Sequence, residues 1–187
     1  PLLDQAPSLL VKCLDNQGLI HRLWGDYGTA LDKYRQALQV NDDEELQQAL
    51  QLHVADMLVA LEEPEQALEV YQELLVALVL RQQQQSNSQN NSNPGMQGVL
   101  LHNIATIHVD MGEYELALEE FHQALQCKQQ AANNNNNINT NHQQHHPEVA
   151  KTWTSLGALH AGVLNDPRQA LECFQTALRI ARINAAG

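Results

Sequence analysis

The chain has 187 residues, enough for one ordinary domain, and its 43% apolar content is close to the globular average. Aromatics are sparse at 4% while Ala, Leu and Gln dominate, which favours helices over a β-rich core and sets an all-α class as the expectation. Acidic residues outnumber basic ones 22 to 10, a net charge of −12; that sign repels phosphate backbones and anionic bilayers, so nucleic acid and membrane are poor partners and a basic polypeptide fits better.

The start, Pro1-Leu2-Leu3-Asp4, is neither a signal peptide nor an initiator Met, and reads as cut from a longer chain. Pro7 and Ser8 offer a helix start, followed by a stripe through Leu10, Cys13, Leu14, Gln17, Gly18 and His21 at three- and four-residue steps. The turn Gly25-Asp26-Tyr27-Gly28 leads to a second helix carrying Ala30, Leu31, Tyr34, Ala37 and Leu38. Asn41 or Asp42 is placed to cap the next helix, with Asp43, Glu44 and Glu45 in a first turn whose dipole welcomes negative charge. Its stripe is Leu46, Leu50, Val54, Ala55 and Leu58. Glu63-Pro64 breaks it, and the partner helix runs through Ala67, Leu68, Tyr71, Leu74, Leu75 and Leu78 into Gln82 or beyond.

Residues 82–95 form a Gln-, Ser- and Asn-rich tract closed by Pro94-Gly95, with no apolar side chains to offset the cost of ordering, so a mobile loop is expected. A third pair follows, with Leu101, Ile104, Ala105 and His108, a turn at Met111-Gly112-Glu113-Tyr114, then Ala117, Leu118, Phe121, Ala124 and Leu125. A second polar tract covers 129–146, and Pro147 suits the first position of the next helix. The last pair carries Trp153, Leu156, Gly157 and His160, then Ala170, Phe174 and Ala177.

Trp153-x2-Leu156-Gly157-x2-His160 followed by Ala170-x3-Phe174 resembles the tetratricopeptide repeat, whose signature is Trp-x2-Leu-Gly-x2-Tyr and then Ala-x3-Phe. The second half recurs in phase at Ala30/Tyr34/Ala37, Ala67/Tyr71/Leu74 and Ala117/Phe121/Ala124. Separations between the key alanines are 37, 50 and 53 residues. Against a period of about 34, the two large excesses coincide with the two polar tracts. Repeat four gains one residue between Gly162 and Pro167, because Trp153 to Ala170 spans 17 positions where Leu101 to Ala117 spans 16.

The resemblance implies a right-handed α-solenoid, one array over 8–183 with repeats near 8–40, 43–82, 97–130 and 147–183. In such arrays the recurrent alanines allow close helix crossing, and Tyr34, Tyr71, Phe121 and Phe174 fill the space between layers. Leu101-His102-Asn103-Ile104-Ala105 and His146-Pro147-Glu148-Val149-Ala150 further resemble phrases of kinesin-light-chain-type repeats, in which an Asn on the first helix lines a cargo-peptide groove.

First helices line the concave face in this family. By phase the implied groove positions here are Lys12, Asp15, Asn16 and Leu19; Leu52, His53 and Asp56; His102, Asn103, Thr106 and Asp110; and Lys151, Thr154 and Ser155. Asn103 stands out, since an amide offers both donor and acceptor to a peptide bond. The basic clamp for terminal carboxylates in chaperone-tail relatives is not reproduced, because Asp15, Leu19, His53 and Val99 hold its places and Asn103 alone agrees.

His21, His108 and His160 stand where the repeat usually has Tyr and are expected to be packed and hydrogen-bonded. His142, His145 and His146 offer adventitious ligands to a transition metal, in a polar tract without supporting residues to orient them. Cys13, Cys127 and Cys173 are odd in number and widely spaced, so neither a disulfide framework nor a metal site is indicated, and a reducing, cytoplasmic setting is the simpler expectation. With no nucleophile-and-base pair, phosphate loop or paired carboxylates, no enzyme activity and no cofactor are expected.

The function expected is a non-enzymatic scaffold that binds a peptide or partner protein. The alternative is an assembly segment that self-associates end to end, because the last helix carries Leu171, Phe174, Leu178 and Ile180 with no polar capping helix before Gly187.

Overall fold

A computed structural model describes residues 6–84, 93–134 and 147–186. The cores of the two polar tracts, with His142, His145 and His146, lie outside these. The described residues form eight helices and no strand: α1 (Ala6–Leu23), α2 (Tyr27–Val40), α3 (Glu44–Ala60), α4 (Pro64–Gln84), α5 (Pro94–Met111), α6 (Tyr114–Asn134), α7 (Pro147–Gly162) and α8 (Pro167–Ala186). This is the all-α repeat fold expected. Two compact units divide the chain, Pro1–Leu74 and Leu75–Gly187, the division falling within α4.

The four intra-pair turns are built alike. Gly25 (φ 79°), Glu62 (φ 61°), Gly112 (φ 83°) and Asn165 (φ 50°) each hold the left-handed conformation, five positions before the recurrent alanine. The residue after each is acidic, and its backbone N–H closes the preceding helix. Asp26 donates to the His21 carbonyl at 2.9 Å, Glu63 to Leu58 at 2.9 Å, Glu113 to His108 at 2.8 Å and Asp166 to His160 at 2.9 Å. The fourth bond reaches back one residue further, which locates the extra residue in the turn of repeat four. The same acidic residues open the second helices, since their carbonyls accept from the N–H groups of Ala30, Ala67, Ala117 and Ala170. The four alanines therefore hold matching places, and all are buried.

In the first unit, Ala30, Leu31, Tyr34 and Ala37 of α2 are buried, as are Leu50, Val54, Ala55 and Leu58 of α3 and Ala67 and Tyr71 of α4. The inner line of α1 differs from the expected stripe. Val11 and Gly18 are buried and Leu14 half-buried, while Leu10 and Cys13 are exposed. Gly18 is required by contact, because a Cβ there would stand 2.5 Å from Tyr34 Cε1.

In the second unit, Ala105, Ala117, Phe121, Leu125, Val149, Leu156, Leu159, Cys173 and Ile180 form one core, with Trp153 packed against it. Phe174 departs from the interlayer role. Its ring lies over Gly157, where a Cβ would meet Cε1 at 2.8 Å, yet it stays 39% exposed because no described helix covers its outer side.

Local corrections follow from capping. Asp43, rather than Asn41 or Asp42, caps α3, its Oδ1 accepting from Leu46 N at 3.2 Å; Asn41 ends α2. Pro94-Gly95 opens α5 instead of closing a loop, with Asn93 Oδ1 accepting from Met96 N at 3.1 Å. Helices α4 and α6 run to Gln84 and Asn134, so the outer residues of both polar tracts are helical.

Candidate functional site

Each unit sets two first helices side by side. In the first unit they are joined by His53 Nδ1 on α3 and Asp15 Oδ1 on α1, 3.1 Å apart and both half-buried. The His53 ring also rests against Tyr34, centroids 4.9 Å apart, so it is held from two sides. Around this pair, Lys12, Asn16 and Leu19 are exposed on α1 and Leu52 is half-buried on α3. Asp56 is turned to its own repeat, accepting from the Tyr71 hydroxyl at 2.5 Å.

In the second unit, α5 and α7 are joined through a buried polar chain. His102 Nδ1 lies 3.2 Å from Thr152 Oγ1, Lys128 Nζ donates to that oxygen at 3.0 Å, and the same amine donates to the Glu148 carbonyl at 3.2 Å and reaches Glu148 Oε2 at 3.4 Å. His102, expected to line the ligand face, is an interior residue with 4% exposure, its ring against Phe121 at 5.4 Å between centroids. Burial, followed by the positive charges of Lys128 and Lys151, pushes its pKa down to about 3, so the ring is neutral. Burial likewise holds the Lys128 amine below its usual value, with Glu148 opposing the shift.

The remaining candidates of this unit are at least partly open to solvent. Asn103 is half-buried, and Thr106 and Asp110 are exposed one and two turns along α5; on α7, Lys151 and Thr154 are exposed and Ser155 half-buried. Thr106 and Thr154 return their hydroxyls to the carbonyls of His102 and Ala150, leaving their methyl groups and spare lone pairs to the surface.

The three Tyr-position histidines diverge. His108 is buried, with Nδ1 2.6 Å from Glu120 Oε2 and Nε2 3.7 Å from Glu113. His21 sits 3.1 Å from Asp26 and edge-on to Trp24. His160 Nδ1 is buried without a hydrogen-bond partner among the described residues, contrary to expectation. Among the described residues no group of three His, Cys, Asp or Glu is placed to hold a metal, and no helix is long and apolar enough to cross a membrane.

The Lys128 chain was not anticipated from sequence. Its signal was present: Lys128 continues the inner line Ala117, Phe121, Ala124 by four, three and four residues.

Residues 99–130 match the tetratricopeptide repeat family model, and these are the third helix pair. Among curated proteins, none matches the chain in sequence. Solved structures of similar fold include BtubC (BKLC) from P. vanneervenii, with TM-score 0.70 and 20% identity over 95% of this chain and 66% of that one. The Rap conjugation gene regulator of plasmid pLS20, in complex with the Phr* peptide, gives TM-score 0.70 and 13% identity over 94% of this chain and 43% of that one. A kinesin-light-chain candidate from Podosopora anserina with nearly identical TPR-like repeats gives 0.53 and 13%, over 97% and 98%. The chain thus spans less than two thirds of the first two of these proteins and has the fold of tetratricopeptide-repeat structures.

Proposed function

We propose that this chain is a non-enzymatic scaffold whose first helices bind an extended peptide or a peptide-like segment of a partner protein. The observation that carries this reading is the pairing of first helices within each unit, α1 with α3 through Asp15–His53 and α5 with α7 through Thr152–His102. Polar groups capable of meeting a peptide backbone are left outward on these helices, Asn16 in one unit and Asn103, Lys151 and Ser155 in the other. Asn103 donates to and accepts from a peptide bond, and Lys151 meets a carboxylate or carbonyl. The similar fold of a regulator in complex with a peptide supports the same use.

The partner is polypeptide and carries basic side chains, drawn by a net charge of −12 and by Asp110 at the edge of the α5 face. Titration of library-selected basic peptides against the wild type, Asn103→Ala and Lys151→Ala tests the assignment. Loss of roughly tenfold in affinity is expected for Asn103→Ala, equivalent to about 1.4 kcal/mol. Unchanged affinity for every selected peptide removes the α5–α7 face from the account.

A further inference from the structure

Tyr34 is fully buried, yet its hydroxyl has no hydrogen-bond partner among the described residues. A buried polar group left unpaired costs stability and calls for an explanation. Packing does not supply one, because Phe121 and Phe174 fill the same place in repeats three and four without a hydroxyl, and Tyr71 in repeat two gives its hydroxyl to Asp56. The Tyr34 ring is wedged against α1, where a Cβ on Gly18 would stand 2.8 Å from Cζ, the atom that carries the hydroxyl. From α3, the His53 ring lies 4.9 Å away between centroids. The orphan hydroxyl therefore sits where the two first helices of the unit meet.

Its surroundings are charged. Burial raises the pKa of the hydroxyl, Arg22 lowers it, and the carboxylates of Asp15 and Asp56 raise it, so two negative charges act at this oxygen against one positive. Asp15, Gly18 and Arg22 follow at three- and four-residue steps and share a face of α1, while His53 and Asp56, three apart, share a face of α3. Neither carboxylate is exhausted. Asp15 accepts from the His53 Nδ1–H through Oδ1, and Asp56 from the Tyr71 hydroxyl through Oδ1, which leaves Oδ2 of each for another donor. With the Tyr34 oxygen these make three acceptors, the number that the three N–H groups of a lysine ammonium can use.

We propose that this place between α1 and α3 is a lysine subsite of the peptide face, in which a ligand ammonium moves the His53 ring off Asp15 and bonds to Asp15, Asp56 and the Tyr34 hydroxyl. The inference rests on the first helices being the peptide-binding face, and adds which side chain the ligand presents and where. Lysine fits better than arginine, since a compact ammonium on a flexible stem reaches a half-buried place and serves separate acceptors, whereas the flat guanidinium fork pairs with one carboxylate.

Peptides selected on the wild-type protein from a randomised library supply the probe. Each lysine of each binder is replaced in turn by norleucine, which keeps the stem and removes the charge, and affinities are read by fluorescence anisotropy. One lysine is expected to lose roughly tenfold or more on this replacement, with the loss shrinking as salt rises. Asp15→Asn and Asp56→Asn are expected to weaken the lysine peptide several-fold and to leave its norleucine version unchanged. Tyr34→Phe is expected to weaken the lysine peptide by about threefold while the melting temperature holds or rises, a combination that a purely structural hydroxyl does not produce. Binders weakened by Asn16→Ala or Asn103→Ala that hold no lysine, or are indifferent to all three subsite variants, overturn the subsite and leave the first-helix reading standing. Equal weakening of lysine and norleucine peptides assigns the carboxylates to structure and also overturns it. Absence of any binder, or binders untouched by every one of these variants, overturns both.

Discussion

Lys128 Nζ lies 3.0 Å from Thr152 Oγ1, and through that hydroxyl a lysine of α6 is linked to His102 of α5. A 4%-exposed ammonium is tolerated because the Glu148 carbonyl and carboxylate share it. Without the amine, the Thr152 hydroxyl still donates to the Glu148 carbonyl at 3.1 Å and the Glu148 carboxylate reaches solvent, whereas loss of the hydroxyl leaves a buried ammonium short of a partner. Lys128→Met should change unfolding free energy by no more than about 1 kcal/mol, whereas Thr152→Val should cost about 1–3 kcal/mol. The double variant should lose less than Thr152→Val alone. Urea unfolding of the four proteins in a cycle measures this, and strict additivity would contradict the coupling.

Acid should act on the same cluster through His102. Its pKa is about 3 when folded and 6.5 by reference, so the unfolded chain binds a proton in that window and the folded chain does not. The stabilising contribution is fully present above pH 6.5 and is lost as pH falls towards 3. Between pH 7 and pH 5 it should remove about 2 kcal/mol. His102→Asn should flatten the stability profile over that interval relative to wild type; parallel profiles would show that the ring is free to protonate in place.

Gly18 and Gly157 occupy equivalent places beneath an aromatic ring, yet their neighbours differ in freedom. Tyr34 is 0% exposed and cannot swing away from a new methyl group, while the outer side of the Phe174 ring faces solvent. Gly18→Ala should destabilise by roughly 1–3 kcal/mol, overriding the helix-propensity gain of about 1 kcal/mol. Gly157→Ala should be neutral or slightly stabilising. Thermal melts decide, and equal effects would mean that the two rings are held alike.

Glu62 takes a left-handed conformation that glycine takes at two of the four equivalent turns. Glu62→Gly should therefore raise stability by about 1 kcal/mol, and Asn165→Gly by less, because a short polar side chain already tolerates the conformation. A lowered denaturation midpoint for Glu62→Gly would contradict this reading of the turn.

The repeat phase was legible because Ala30, Ala67, Ala117 and Ala170 are each buried and each followed four residues on by Tyr or Phe, a local spacing that polar insertions between the repeats leave untouched. Rotation about a helix axis was less so. His102 stands next to Leu101, and only the packing of α5 on α6 and α7 decides that both face inward. Lys128 could be read as a long side chain snorkelling to the surface until Thr152 and Glu148 were placed around its amine. Phe174 shares its motif with Phe121, and its exposure depends on a covering helix that the motif does not encode. The cap at Asp43 lies one residue from Asp42, within the usual uncertainty of a helix end.

The central claim is that ligands meet the first helices. Amide chemical-shift mapping of the protein during titration with a library-selected basic peptide tests it most directly. The account predicts that the largest perturbations cluster at Asn103, Thr106, Lys151, Thr154 and Ser155, or at Lys12, Asn16 and Leu19, with α6 and α8 little changed. Perturbations concentrated on the second helices, with Asn103 and Asn16 unmoved at saturation, would contradict it.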